Sequence, residues 1–322
     1  MRVILLGRMA AGRLKELEER VPDAVFTAIP DPRRIDEHVG VLGEADAIVG
    51  WPLTNDLVNR APNVRLVQAS GIGIDGLDPE MLPPGVMVAN TFHHEAAIGE
   101  WVVMAMLWLS RRPDVYDAAM RRGSWNGSCI WGEPAVVREI RGSTALLIGL
   151  GNIATETAAR AAAFGVRLIG VSRRPTPREH YAEVIGWEGW RERLAEADFV
   201  IPACPLTPET TGLIGAAEIA RMRRGAGVIN VTRGAVVDEH ALYEALRDRR
   251  IAGAAIDTWY RYPAEPEEWA PPSQFPFHEL DNVLMSPHIS GWTAATINER
   301  VEDIATNLRR LAAGEAPINR LR

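Results

Sequence analysis

The chain has 322 residues, with 35 Lys plus Arg against 42 Asp plus Glu, 2 Cys and 10 Trp. At about 100–200 residues per domain, that length predicts two domains, each able to bury its own core. A composition of 47% hydrophobic and 24% charged residues excludes a disordered or fibrous chain, and a net charge of −7 excludes the broad basic field that a nucleic-acid surface needs.

Val3-Ile4-Leu5-Leu6, ending at Gly7, reads as a buried first strand. Residues 14–21 form an amphipathic helix with apolar positions at i, i+3 and i+7, stopped by Pro22. Residues 47–50, 64–68 and 86–90 read as further strands. Strands alternating with helices imply a parallel sheet covered on both faces. Residues 96–112 form a long helix, too apolar for a surface position, and are expected to lie buried between domains. Residues 123–133, rich in Gly, Ser and Trp, read as a loop. A second strand-helix series opens at residues 143–148, and residues 263–276, with five prolines, form an extended loop.

Two cysteines, Cys129 and Cys204, are too few for a disulfide framework or a multi-cysteine metal site, which favours a reducing compartment. The apolar run behind Met1 is too short for a signal-peptide core, and residues 101–109 make half a membrane span. A cytoplasmic protein with no membrane partner is expected. His93, His94 and Glu95 are adjacent without a third histidine at helical spacing, so no metal is expected there.

The strand at 143–148 runs into Gly149-Leu150-Gly151-Asn152-Ile153-Ala154, then a helix over 156–164 and a second strand over 166–171. That context makes the glycine pattern a dinucleotide fingerprint. Gly149 permits the tight turn. Gly151, with Asn152 and Ile153, lets a pyrophosphate approach the helix N-terminus. At the end of the second strand stand Ser172-Arg173-Arg174 in place of an acidic residue. Arginines match a ribose 2′-phosphate in charge and geometry, so NADP(H) is expected over NAD(H), with NAD still possible.

An ordered series of motifs then resembles a known family over nearly the full length. It comprises Gly71-Ile72-Gly73-Ile74-Asp75, Ala97-Ile98-Gly99-Glu100, the glycine fingerprint, Cys204-Pro205-Leu206-Thr207-Pro208-Glu209-Thr210, Asn230-Val231-Thr232-Arg233-Gly234, Gly253-Ala254-Ala255-Ile256-Asp257 and Ser286-Pro287-His288. The series resembles the D-isomer-specific 2-hydroxyacid dehydrogenases, which include glyoxylate/hydroxypyruvate reductases and phosphoglycerate dehydrogenases. The resemblance implies two doubly wound α/β domains around a cleft. A flavodoxin-like substrate domain would comprise residues 1–93 and 292–322, and a Rossmann NAD(P) domain residues 94–291. The C-terminal helix over 293–311 would pack on the first domain. The resemblance further implies a homodimer helped by the long helix, and a small 2-keto or 2-hydroxy acid as substrate.

It assigns Arg233 to the substrate carboxylate and carbonyl, and His288 to general acid/base work, roles that a guanidinium fork and a near-neutral imidazole suit. It places Cys204, Pro205, Thr210, Val231, Thr232, Asp257 and Gly291 against the cofactor, Asp257 at the nicotinamide carboxamide. Trp51 and the backbone amides of Gly71, Ile72 and Gly73 would face the substrate, although a core position is the commoner outcome for a tryptophan and a plain strand-to-helix turn is an equally ordinary one for the glycines. In one respect the chain departs from the pattern. Most members carry a Glu-Pro pair five residues after the Asp, whose Glu supports the catalytic His; here that position is Tyr262-Pro263, and Glu265-Pro266 follows three residues later. Glu265 is the residue expected to orient His288 and stabilise its imidazolium; the alternative is that Tyr262 or a water takes that place and the His pKa stays at about 6.5. A formate- or phosphite-type dehydrogenase and a nucleotide-sensing corepressor on the same scaffold stay open as alternatives.

Overall fold

The computed structural model describes residues 1–125, 127–130, 136–263 and 269–322. The chain divides into two compact units, Met1–His93 with Thr293–Arg322, and His94–Trp292. Trp292 thus falls on the nucleotide side of the division rather than opening the returning segment.

The first unit holds five parallel strands: β1 (Arg2–Leu6), β2 (Val25–Ile29), β3 (Ala47–Gly50), β4 (Leu66–Ala69) and β5 (Met87–Ala89). Their order is β2-β1-β3-β4-β5, the flavodoxin-like doubly wound arrangement. Side chains alternate across the pleat. Ile4, Leu6, Ile48, Val67 and Val88 meet Leu42, Leu53 and Leu57 on one face. Val3, Leu5, Val49 and Leu66 meet Leu17, Val301, Ile304 and Leu308 on the other. The C-terminal helix Ala294–Ala312, capped by the Thr293 hydroxyl, therefore covers this sheet as expected. Strand β2 is not apparent in the sequence: it lies at the sheet edge, where its exposed and half-buried side chains give no buried run.

The second unit holds seven parallel strands: β6 (Thr144–Ile148), β7 (Arg167–Ser172), β8 (Glu183–Gly186), β9 (Phe199–Pro202), β10 (Gly227–Asn230), β11 (Gly253–Ile256) and β12 (Val283–Met285). Their order, β12-β11-β10-β9-β6-β7-β8, reverses direction between β6 and β9. In open α/β sheets, ligands bind outside the strand C-termini at that switch point. Leu146, Ile148, Val200, Val228 and Ile256 pack on one face with Trp190, Leu242 and Phe277. Leu147, Leu168, Ile201 and Ile229 pack on the other with Ile98, Val102 and Met106. The last three belong to the long helix Glu95–Arg111, which lies against the helix Asn152–Ala163 and against β10 and β11. The helix after the glycine turn begins at Asn152, four residues before the sequence expectation, because Ala154, Thr157, Ala158 and Ala161 already point into the core. Part of the stretch ahead of residue 123 adds a helix, Pro113–Arg121, that buries none of its residues.

Candidate active site

The described nucleotide-side candidates lie on segments that follow strands of the seven-stranded sheet. At the end of β6, Gly149 has φ +98°, and a Cβ there would lie 2.8 Å from the Ala203 carbonyl oxygen and 2.9 Å from the Cys204 amide nitrogen. Only glycine fits a left-handed turn pressed against the backbone leaving β9. Gly151 caps the next helix without a side chain, and a Cβ there would meet nothing within 4 Å. Space stands open where the first-turn amides of Asn152 and Ile153 converge, which suits a pyrophosphate. Arg178 donates to the Leu150 carbonyl at 2.7 Å and steadies the turn; its distance in sequence hid that role.

At the end of β7, the Ser172 hydroxyl accepts from the Arg174 amide at 3.2 Å, and Arg173 and Arg174 are exposed. A dinucleotide cofactor fits this edge: an open helix N-terminus at the switch point, with cations one strand away. Past β9, Cys204 is buried and its thiol is pushed up by desolvation. The Thr210 hydroxyl donates to the Pro205 carbonyl at 2.7 Å and accepts from the Thr207 amide at 2.7 Å, so it ties its own loop together. Val231 and Thr232 are buried behind β10. Gly291 lies close to His94, since a Cβ there would stand 2.9 Å from the His94 Cβ.

Beyond β10 the chain turns sharply at Arg233. Asn230, buried at the strand end, donates to the Arg233 carbonyl at 3.0 Å and accepts from the Thr232 amide at 3.2 Å. The Arg233 guanidinium donates to the Thr232 carbonyl at 2.9 Å. A Cβ on Gly234 would stand 2.4 Å from the Trp259 carbonyl oxygen, so the Arg-Gly pair lets this turn press on the segment after β11.

That segment carries Asp257, whose carboxylate is fully enclosed. It accepts from the Ser286 hydroxyl at 2.5 Å, the Ile289 amide at 2.9 Å and the Ser290 amide at 3.0 Å. Besides the cofactor contact expected of Asp257, three of its hydrogen bonds hold the loop that presents His288. His288 itself has φ +58°, a left-handed conformation that costs a non-glycine residue about 1–3 kcal/mol. The following two amides, bonded to Asp257, hold it there.

Tyr262 Oη stands 3.0 Å from His288 Nδ1 and accepts from the Trp259 amide at 3.2 Å. The Trp259 indole donates to the Ser286 carbonyl at 2.8 Å. Of the two supports weighed for His288, Tyr262 is the one seen here; Glu265 lies outside the described residues. His288 keeps an accessible face, while partial enclosure pushes its pKa below the ordinary value. The Asp257 charge opposes that shift and the Arg233 charge adds to it. Arg233 is therefore within electrostatic reach of the imidazole. Asn230, Trp259 and Ser286 were not singled out from sequence. A buried polar residue ending an apolar strand was the available signal for Asn230.

Trp51 and residues 71–73 belong to the first unit. Trp51 follows β3, is partly exposed and precedes Pro52 through a cis peptide. Ile72 is exposed, and its carbonyl accepts from the Asn90 amide group at 3.0 Å. His93 Nε2 lies 2.9 Å from Asp303, and among the described residues no group of three or more His, Cys, Asp or Glu is arranged to hold a metal ion. No described helix is long and apolar enough to cross a membrane.

A doubly wound sheet with a glycine turn at its switch point, and an arginine and a histidine beyond the ends of the two strands that flank β11, defines a nucleotide-dependent oxidoreductase scaffold. Residues 103–290 match the model for the D-isomer specific 2-hydroxyacid dehydrogenase NAD-binding domain, and the chain belongs to that family. It is 33% identical to a glyoxylate reductase of Thermococcus litoralis, over 86% of this chain and 83% of the relative. It is 29% identical to a D-3-phosphoglycerate dehydrogenase of Methanocaldococcus jannaschii over 99% of this chain, which spans 59% of that longer relative. A solved structure from Thermus thermophilus superposes with a TM-score of 0.84 at 28% identity, covering 100% of both chains.

Proposed function

We propose that the protein is an NADPH-dependent reductase of a small 2-keto acid, of the glyoxylate/hydroxypyruvate reductase type. The observation that carries this reading is that the Arg233 turn packs on the Trp259 segment, whose Tyr262 contacts His288, on the same sheet as an open glycine turn. Gly149, Gly151, Asn152 and Ile153 would hold the pyrophosphate, and Ser172, Arg173 and Arg174 the 2′-phosphate. The bound nicotinamide supplies the hydride. Arg233 pairs with the substrate carboxylate and polarises the carbonyl oxygen. His288, as imidazolium, gives its Nε2 proton to that oxygen; in the reverse direction the neutral ring takes it back. On the first unit, Trp51 and residues 71–73 are proposed substrate contacts, on the strength of their place beyond strand ends and the exposure of Trp51 and Ile72.

We also propose a homodimer. The helix Pro113–Arg121 has no fully buried residue, and Val115, Met120 and Met104 are exposed, surfaces that a second copy would cover. Two free cysteines support a reducing, cytoplasmic location. The test of cofactor choice is the ratio of kcat/KM for NADPH and NADH. Replacing both Arg173 and Arg174 by Ala should lower the NADPH value about 10–100-fold and leave the NADH value within about threefold. Equal loss with both cofactors would reject the 2′-phosphate role.

A further inference from the structure

We propose that Tyr262 is the positioning residue for the His288 imidazole: its hydroxyl oxygen accepts the Nδ1 hydrogen and leaves Nε2 as the nitrogen that exchanges a proton with substrate. This rests on the proton-transfer role proposed for His288. The contact is made by the hydroxyl rather than by ring stacking, since the two rings stand 5.8 Å apart and are tilted by 53°. Trp259 links this oxygen to the His288 loop. The Trp259 amide donates to it at 3.2 Å, and the Trp259 indole is tied to the Ser286 carbonyl at 2.8 Å, two residues before His288.

A phenol oxygen has two acceptor sites and one hydrogen. The Trp259 amide takes one acceptor site, which leaves two arrangements at Nδ1. If the phenol hydrogen points at Nδ1, the neutral ring carries its hydrogen on Nε2 and has no base to offer there. If Nδ1–H points at the phenol oxygen, Nε2 is free to lose and regain a proton. Reduction converts imidazolium into the Nδ1–H ring: the Nε2–H bond breaks, an O–H bond forms on the former ketone, and hydride completes the alcohol. Nδ1 keeps its hydrogen throughout, so Oη must accept throughout.

Tyr262 does this as a neutral group, because desolvation pushes its own pKa up. The charges facing His288 are then Asp257, which favours the imidazolium, and Arg233, which opposes it. A tyrosine in this place orients the ring without adding the negative charge that a carboxylate would bring.

The test is nitrogen NMR of the ¹⁵N-histidine-labelled full-length protein across pH, alongside the pH dependence of 2-keto acid reduction. In the wild type, His288 should lose its proton from Nε2 and remain the Nδ1–H tautomer. Tyr262→Phe should populate the other tautomer and lower kcat at least about tenfold, with KM changing less. Tyr262→Glu should restore the Nδ1–H tautomer and raise the His288 midpoint by about one pH unit or more. A wild-type tautomer and kcat in Tyr262→Phe, or an unmoved midpoint in Tyr262→Glu, would overturn the proposal. The NMR titration needs no turnover, so it judges Tyr262 even if no 2-keto acid proves to be a substrate.

Discussion

Asp257→Asn should loosen the loop that carries His288. The wild-type carboxylate accepts three hydrogen bonds at 2.5–3.0 Å inside a site with no solvent access. Asparagine keeps one acceptor oxygen and turns an amide donor toward a neighbouring donor. Hydrogen bonds to charged groups contribute about 1.5–3 kcal/mol each, and a stranded buried donor costs about 1–3 kcal/mol. A loss of about 3 kcal/mol is expected, roughly a hundredfold in the population of the aligned loop. The left-handed His288 backbone makes relaxation easy once those bonds weaken. Urea unfolding should show the stability loss, and kcat/KM should fall about a hundredfold. The His288 midpoint should move lower still, because the Asp257 charge is what raises it. A stability change under about 0.5 kcal/mol together with an unmoved midpoint would refute the holding role.

Other outcomes follow from the same geometry. Gly149→Ala forces a Cβ onto the Ala203 and Cys204 backbone at positive φ, and should destabilise the nucleotide unit by about 2 kcal/mol or more in urea unfolding. Asn307→Ala removes the bond to Gln68 at 2.7 Å and the one from the Ile318 amide at 2.7 Å; with Gln68 enclosed and Ile318 half-buried, about 1–3 kcal/mol should be lost, read as a lower Tm. In initial-rate profiles, reduction should fall as pH rises through a His288 pKa that lies below 6.5, and oxidation of the 2-hydroxy acid should rise across the same range. An inflection above 7 in both directions would contradict the assigned acid/base.

Much of the fold was legible wherever an apolar run stopped at a turn residue. The strand before Gly149 and the strand before Arg233 have that form, and the C-terminal helix was marked instead by its Thr293 cap and amphipathic spacing. Strand β8 escaped because its side chains are only half-buried at the sheet edge, and β9 because it ends in Pro202. Within the site, Arg233 and His288 could be found because each follows a strand end. The hydrogen bonds of Asp257 could not, because their partners lie 29 to 33 residues away. Nor could spacing choose the partner of His288. Tyr262 reaches Nδ1 because the Trp259 amide and indole tie residues 259–262 to the His288 loop.

The most direct measurement of the central claim is nicotinamide absorbance for a panel of 2-keto acids with NADPH and NADH, run on the wild type and on His288→Ala. Turnover of glyoxylate, hydroxypyruvate or a bulkier relative with NADPH is expected. NADH should give a lower kcat/KM, and His288→Ala should lose at least about a hundredfold. Absence of turnover with every 2-keto acid, while the nucleotide still binds, would contradict the account and favour a nucleotide-sensing role for the same fold.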